Sequence, residues 1–163
     1  MRRLSTSSVV IGVDPGGRET GIVLVNRGHL VDHEVITLKA PPKTWPTREY
    51  LDAVVAAVRS RLDEFDADLV TLEGLKEPNP HLGMTSTRGL ISTATVFGAV
   101  QITFECEVVQ PGGHGLGPPG AYPEAIRIPA GGKGNDKLRH CRSAYDIAHV
   151  GLITASRAQA ASA

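Results

Sequence analysis

The apolar positions along the chain follow two periods, and the change between them outlines the fold. Residues 8–14 (SVVIGVD) are a nearly continuous apolar run ending in an acid, as expected of a central strand buried on both faces. Pro15, Gly16 and Gly17 break it with turn residues. Residues 20–26 (TGIVLVN) are a second β-branched run, Arg27 and Gly28 make a hairpin turn, and 30–38 reads as a third strand. The short turns between them predict an antiparallel meander. The period then lengthens. Leu51, Val54, Val55, Val58 and Leu62 recur at helical spacing behind Thr47, a capping residue, which predicts an amphipathic helix over 47–65. Residues 68–73 (DLVTLE) read as a strand, again ending in an acid, and 81–101 as a helix rich in small residues. A fifth strand is expected at 105–110, a Gly/Pro-rich loop at 111–120, a short helix at 122–127 and a last helix at 136–155, with 156–163 a frayed tail.

This order predicts an α/β fold. Three antiparallel strands are followed by two parallel ones reached through right-handed crossovers, giving a mixed five-stranded sheet with helices on both faces. A length of 163 residues suits one domain, taken as 1–155, and an apolar fraction of 41% with few aromatics predicts a core of Val, Ile, Leu and Ala. No apolar run approaches the ~20 residues of a bilayer span, and the first eight residues hold no apolar stretch long enough for a secretory signal. The expectation is a cytoplasmic protein with no membrane partner. Cys106 and Cys141 lack metal-type spacing and read as free thiols.

Charge changes the picture only through its distribution. The formal net charge is zero, which argues against a uniformly basic nucleic-acid binder. Yet residues 127–142 carry Arg127, Lys133, Lys137, Arg139 and Arg142 against Asp136 alone, a segment able to bind phosphate locally. Three acids are better candidates for chemistry. Asp14 ends the first strand, Glu73 ends the fourth, and Asp146 interrupts the apolar stretch of the last helix. Each has a plain alternative: a turn cap, a strand-end residue facing water, an exposed helix position. Brought together, they would form a carboxylate cluster that repels itself unless a cation neutralises it. Oxygen-only ligands favour Mg²⁺ or Mn²⁺, and two such ions about 4 Å apart can activate water and stabilise the leaving oxygen of a phosphodiester.

Residues 10–25 (VIGVDPGGRETGIVLV) resemble the opening of RuvC-type Holliday junction resolvases, a ribonuclease H-like family with phage members. Residues 69–74 (LVTLEG) are similar to that family's second acidic motif, 83–100 to its small-residue helix, 122–137 to its Pro-containing and glycine–lysine segments, and 143–148 (SAYDIA) to its final acidic motif. The resemblance covers most of the chain, and its parts fall in the family's order. It implies a homodimeric, Mg²⁺- or Mn²⁺-dependent endonuclease that resolves branched DNA without a small-molecule cofactor. Asp14, Glu73 and Asp146 would hold two ions. Lys137 would stand at the scissile phosphate, and Lys133, Arg139 and Arg142 would contact the backbone, with Arg88 as a further contact and Asn79 and His81 as weak candidates near the junction centre. The small-residue helix is one candidate dimer interface. The Ala-, Gly-, Arg- and Val-rich composition points to a GC-rich bacterial or phage genome.

The chain departs from the family pattern in two places. Three residues before Asp146, where the family has Asp or His, stands Ser143; His140, His149 and Asp136 are the other candidates for the fourth ligand. The loop 111–120 is an apparent insertion. The rival readings are another ribonuclease H-like nuclease acting on hybrids or flaps, and a junction-binding protein that has lost catalysis.

Overall fold

The computed structural model describes residues 4–5, 8–76, 86–132 and 136–162. Its sheet has the order β3-β2-β1-β4-β5, so β1 (Val9–Asp14) is central. β2 (Glu19–Asn26) pairs antiparallel with β1, and β3 (His29–Thr37) antiparallel with β2. β4 (Leu69–Glu73) lies parallel to β1, and β5 (Cys106–Val109) parallel to β4. This is the expected mixed sheet. Helix α1 (Arg48–Phe65) joins β3 to β4, and α2 (Thr87–Thr103) lies between β4 and β5.

Strand alternation divides the core into two layers. Ile11, Val13, Ile22, Leu24 and Leu72 face α1 and α2 and pack with Val54, Val58, Val96 and Val100. Val10, Val23 and Val25 face the other way, onto Ala144 and Ala148 of α3 (Arg139–Ala161) and onto Tyr122 and Ile126. The Thr47 side chain caps α1 by accepting from the Tyr50 N–H, and Tyr50 in turn donates through its hydroxyl to the Gly16 carbonyl, 2.8 Å away. The turn that follows Asp14 is thereby fixed to the start of α1.

Helix α3 approaches the sheet closely because the strands beneath it carry glycines. A Cβ on Gly12 would collide with the Ala144 carbonyl, and one on Gly21 with the His140 carbonyl. These contacts set a stripe on α3, His140–Ala144–Ala148, at a spacing of four residues.

The structure differs from the sequence expectations at several ends. The short helix expected at 122–127 is replaced by two 3-10 turns, Pro119–Ala121 and Glu124–Ile126, because prolines precede and open them. The last helix starts at Arg139 rather than 136. Asp136 forms a turn instead, its Oδ1 accepting from the Leu138 N–H at 2.9 Å and its carbonyl from the Arg139 N–H. That helix ends at Ala161, not 155: Ala155 is buried, and the Gln159 side chain accepts from the Leu4 N–H, so the expected frayed tail is largely helical. Helix α2 begins at Thr87 behind the capping Ser86, and the expected start at 81–85 lies outside the described residues. Among the described residues, no helix is long and apolar enough to cross a membrane.

Candidate active site

Asp14 and Glu73 end adjacent parallel strands in neighbouring register, since Val13 pairs with Leu72. Alternation puts both side chains on the α3 face, beyond Gly12 and Thr71. Asp14 is only 8% exposed. Burial first, then the charge of Asp14 and a hydrogen bond shared with it, push the Glu73 carboxyl up to about 8; the Gly112 N–H and Lys76 act in the opposite direction. The pair therefore tends to keep one proton between two carboxylates.

The third group at this pair is a histidine. His140 Nδ1 lies 2.8 Å from Asp14 Oδ2, and its Nε2 is 3.2 Å from an Arg139 guanidinium nitrogen and 3.7 Å from Glu19 Oε2. The guanidinium can only donate, so Nε2 accepts from it and Nδ1 carries the hydrogen that goes to Asp14. The stripe that places Ala144 over Gly12 explains the position: one turn nearer the start of α3, the residue on that face is His140, at the level of Asp14.

Asp146 does not join this group. Its Oδ2 accepts from the Gly115 N–H at 2.8 Å and from the Tyr122 hydroxyl at 3.0 Å. The Gly117 N–H completes the network on the Tyr122 oxygen at 2.9 Å. Six residues beyond His140, Asp146 is about 120° round the helix and about 9 Å along its axis. The helix phase that aims His140 at Asp14 therefore aims Asp146 at the 111–122 segment. Among the described residues no group of three or more His, Cys, Asp or Glu stands ready to hold a metal. Of the three expected acids the structure brings Asp14 and Glu73 together, with a histidine beside them, and places Asp146 on the 111–122 segment.

The remaining candidates separate clearly. Arg142, expected at the DNA backbone, is fully buried (0% exposed) and cannot reach a phosphate from there. It bonds the Ile126 carbonyl at 3.0 Å and both Asp136 oxygens at 3.2 and 3.1 Å, tying the start of α3 to the 3-10 turns. Burial raises the Asp136 carboxyl, but Arg142 outweighs it and holds the group below its ordinary range. Lys137 and Arg139 are exposed at the start of α3, close to His140. Ser143 is buried against Gly115. His149 is occupied elsewhere: it bonds the Tyr145 and Gly28 carbonyls and packs on the Tyr145 ring. Arg88 lies over the ring of Trp45. Lys133, Asn79 and His81 lie outside the described residues. The sequence did carry a signal for His140: the spacing 140–144–148 with small residues at the last two positions, opposite strand glycines at 12 and 21.

No protein-family model matches the chain, and no curated protein matches it in sequence. Solved structures do match. A Thermus thermophilus RuvC in complex with a Holliday junction substrate superposes with a TM-score of 0.61 at 23% identity, over 93% of this chain and 95% of that one. The chain has the RuvC fold. A further Thermus thermophilus RuvC structure superposes with a TM-score of 0.57 at 22% identity, over 94% and 96% of the two chains. Within this ribonuclease H-like RuvC fold, Asp14 and Glu73 occupy the C-terminal ends of the two central parallel strands.

Proposed function

We propose that the chain is a divalent-metal-dependent endonuclease that cuts branched DNA, with four-way junctions as its substrate. The observation that carries this reading is the Asp14–Glu73 pair, Asp14 buried and Glu73 half-buried, attended by His140 at the strand ends of a RuvC fold. The donor set fits a hard cation. Two carboxylates side by side, one of them drawn to hold a proton, offer oxygen ligands whose repulsion a cation would relieve in the proton's place. Mg²⁺ or Mn²⁺ bound by Asp14 and Glu73 would supply Lewis acidity at the phosphodiester.

The chain's own residues do the rest. His140 fixes the Asp14 carboxylate through Nδ1–H, and Arg139 fixes the imidazole through Nε2. Lys137 and Arg139, exposed beside the pair, attract and orient the phosphate backbone. Asp146 serves to hold the 111–122 segment, whose Gly112 reaches Glu73. Symmetric resolution of a junction needs two active sites, and the outer face of α2 suits a second copy. Ile91 and Ile102 are exposed there, and Gly98 faces open space.

A second reading, a junction-binding protein without cleavage, draws on the bonding of Asp146 away from the acid pair. One assay separates them. Incubated with a synthetic four-way junction, the protein is expected to nick opposite strands in Mg²⁺ or Mn²⁺ and not in chelator. Tight binding with no product in either metal would support the second reading, and preferential cutting of flaps or RNA–DNA hybrids would remove junctions as the substrate.

A further inference from the structure

The chain's only tryptophan, Trp45, belongs to neither apolar layer and is 45% exposed. A large aromatic left half in water forgoes part of the burial that normally draws such a ring into a core. Its surroundings are constructed rather than loose. The Arg88 guanidinium carbon sits 4.8 Å from the ring centroid, and the same guanidinium donates to the Lys43 carbonyl. From the other side, Arg18 donates to the Ala40 and Pro41 carbonyls at 2.8 and 3.1 Å, and its own carbonyl accepts from the Leu38 N–H. Two arginines thus clamp a loop that already holds Pro41, Pro42 and Pro46. Arg18 belongs to the turn that leaves Asp14, so the loop is fixed at the same end of the sheet as the acid pair.

The charge of this loop is one-sided. Residues 39–48 carry Lys39, Lys43 and Arg48 and no acid, and Arg18 and Arg88 flank them; all five are exposed. The opposing acids stand on α1, where Asp52 takes Arg48 at 3.6 Å and Glu49 faces solvent. An exposed ring, held rigid by arginines within a basic, acid-free loop, matches the requirements of unpaired nucleic acid. Bases stack on the ring, and phosphates meet the cations. A folded protein partner has no comparable need for an exposed ring under a guanidinium in a loop whose charges are all cationic. We propose that Trp45 is a stacking platform for an unpaired base of a strand whose backbone runs past Lys39, Lys43 and Arg88 toward Asp14. The proposal rests on the nucleic-acid reading above and adds to it a second contact region, in the loop before α1 rather than at the start of α3.

Trp45 reports on itself, because no other residue contributes tryptophan fluorescence. In chelator, the wild-type chain is titrated with dye-labelled oligo(dT), blunt duplex and four-way junction, following DNA anisotropy and protein fluorescence together. Oligo(dT) and junction are expected to quench Trp45 as the anisotropy rises, and duplex to bind with little quenching. Trp45→Ala is expected to weaken oligo(dT) binding on the order of 10-fold, and Trp45→Phe to restore most of it. Saturating anisotropy with unchanged fluorescence, or wild-type affinity in Trp45→Ala, would overturn the platform and leave the nuclease reading intact. Quenching by duplex equal to that by oligo(dT) would also overturn it. Absence of binding to all three DNAs would bring down the nucleic-acid reading as well. If Trp45→Ala melts early, the wild-type titration decides, since a purely structural ring would keep its fluorescence unchanged while the anisotropy saturates.

Discussion

Asp14 and Asp146 both interrupt apolar stretches, and both sit where α3 meets the rest of the molecule, yet their surroundings are opposite. Asp146 is answered: a backbone N–H and a tyrosine hydroxyl point at one oxygen, and nothing of like charge is bonded to it. Asp14 is buried beside a second carboxyl whose titration it raises, with a histidine as its hydrogen-bond donor. A folded chain tolerates a buried acid when donors satisfy it, and that is the condition of a structural residue. An acid buried against another acid is tolerated only at a cost in stability, and such tension concentrates at functional sites. Burial separates them only in degree, Asp14 being buried and Asp146 half-buried; the identity of their partners separates them in kind.

The largest expected effect lies on the strained side. Asp14→Asn keeps the shape of the side chain and removes its charge. We expect cleavage of a four-way junction to fall by about 1,000-fold or more, while junction binding in chelator stays close to wild type. Single-turnover cleavage and anisotropy on the same preparation check this. Equal loss of binding and cleavage would make Asp14 a residue of the binding surface and erase the contrast.

The two residues of α3 should fail in different ways. His140→Ala leaves Asp14 without its orienting donor, and we expect cleavage to drop on the order of 10–100-fold with little change in melting temperature. Asp146→Ala strands the Gly115 N–H and loosens Tyr122, at about 2 kcal/mol, or on the order of 4–8 °C in a chain of this length. Its cleavage per folded molecule should fall less than that of His140→Ala, and Asp146→Asn, which keeps an acceptor oxygen, should recover most of the stability. Were Asp146→Ala instead to melt normally and lose all cleavage, Asp146 would return to the metal-holding acids.

That pair of residues also shows where the sequence could be read and where it could not. The sheet was legible because its strands are apolar runs closed by turn residues, and the acids at 14 and 73 could be put side by side from strand order alone. Helix α1 was legible from its apolar spacing and its Thr47 cap. The phase of α3 was not. Its sheet-facing stripe is alanine, which carries no hydrophobic contrast with the helix's other small residues, so the pattern alone turns the acid at 146 toward the strands and leaves the histidine at 140 only a candidate fourth ligand. The partners that settle the phase, Gly12 and Gly21, lie more than a hundred residues away. Arg142 was misassigned for a related reason. A cation in a basic segment reads as surface, and only the position of Asp136 in the turn before the helix shows that the two are bonded beneath it.

The smallest expected effect tests the tension itself. The Glu73 carboxyl is raised from 4.5 to about 8 in the folded chain, so the folded state holds a proton there that the unfolded state releases. Between those limits the unfolded chain binds fewer protons, and stability must fall as pH rises. The contribution is fully present below about pH 4.5 and is lost as pH climbs through about 8. In chelator, the melting temperature of the wild type is therefore expected to decline across this window. Glu73→Gln, which cannot ionise, should flatten the decline and melt higher than wild type at the alkaline end, by on the order of 3 °C. Mg²⁺ or Mn²⁺ added at that end should raise the wild type and leave Glu73→Gln nearly unmoved, because the cation replaces the proton only where two carboxylates compete for it. A flat wild-type profile, or an equal metal effect on both proteins, would mean that Asp14 is as well answered as Asp146.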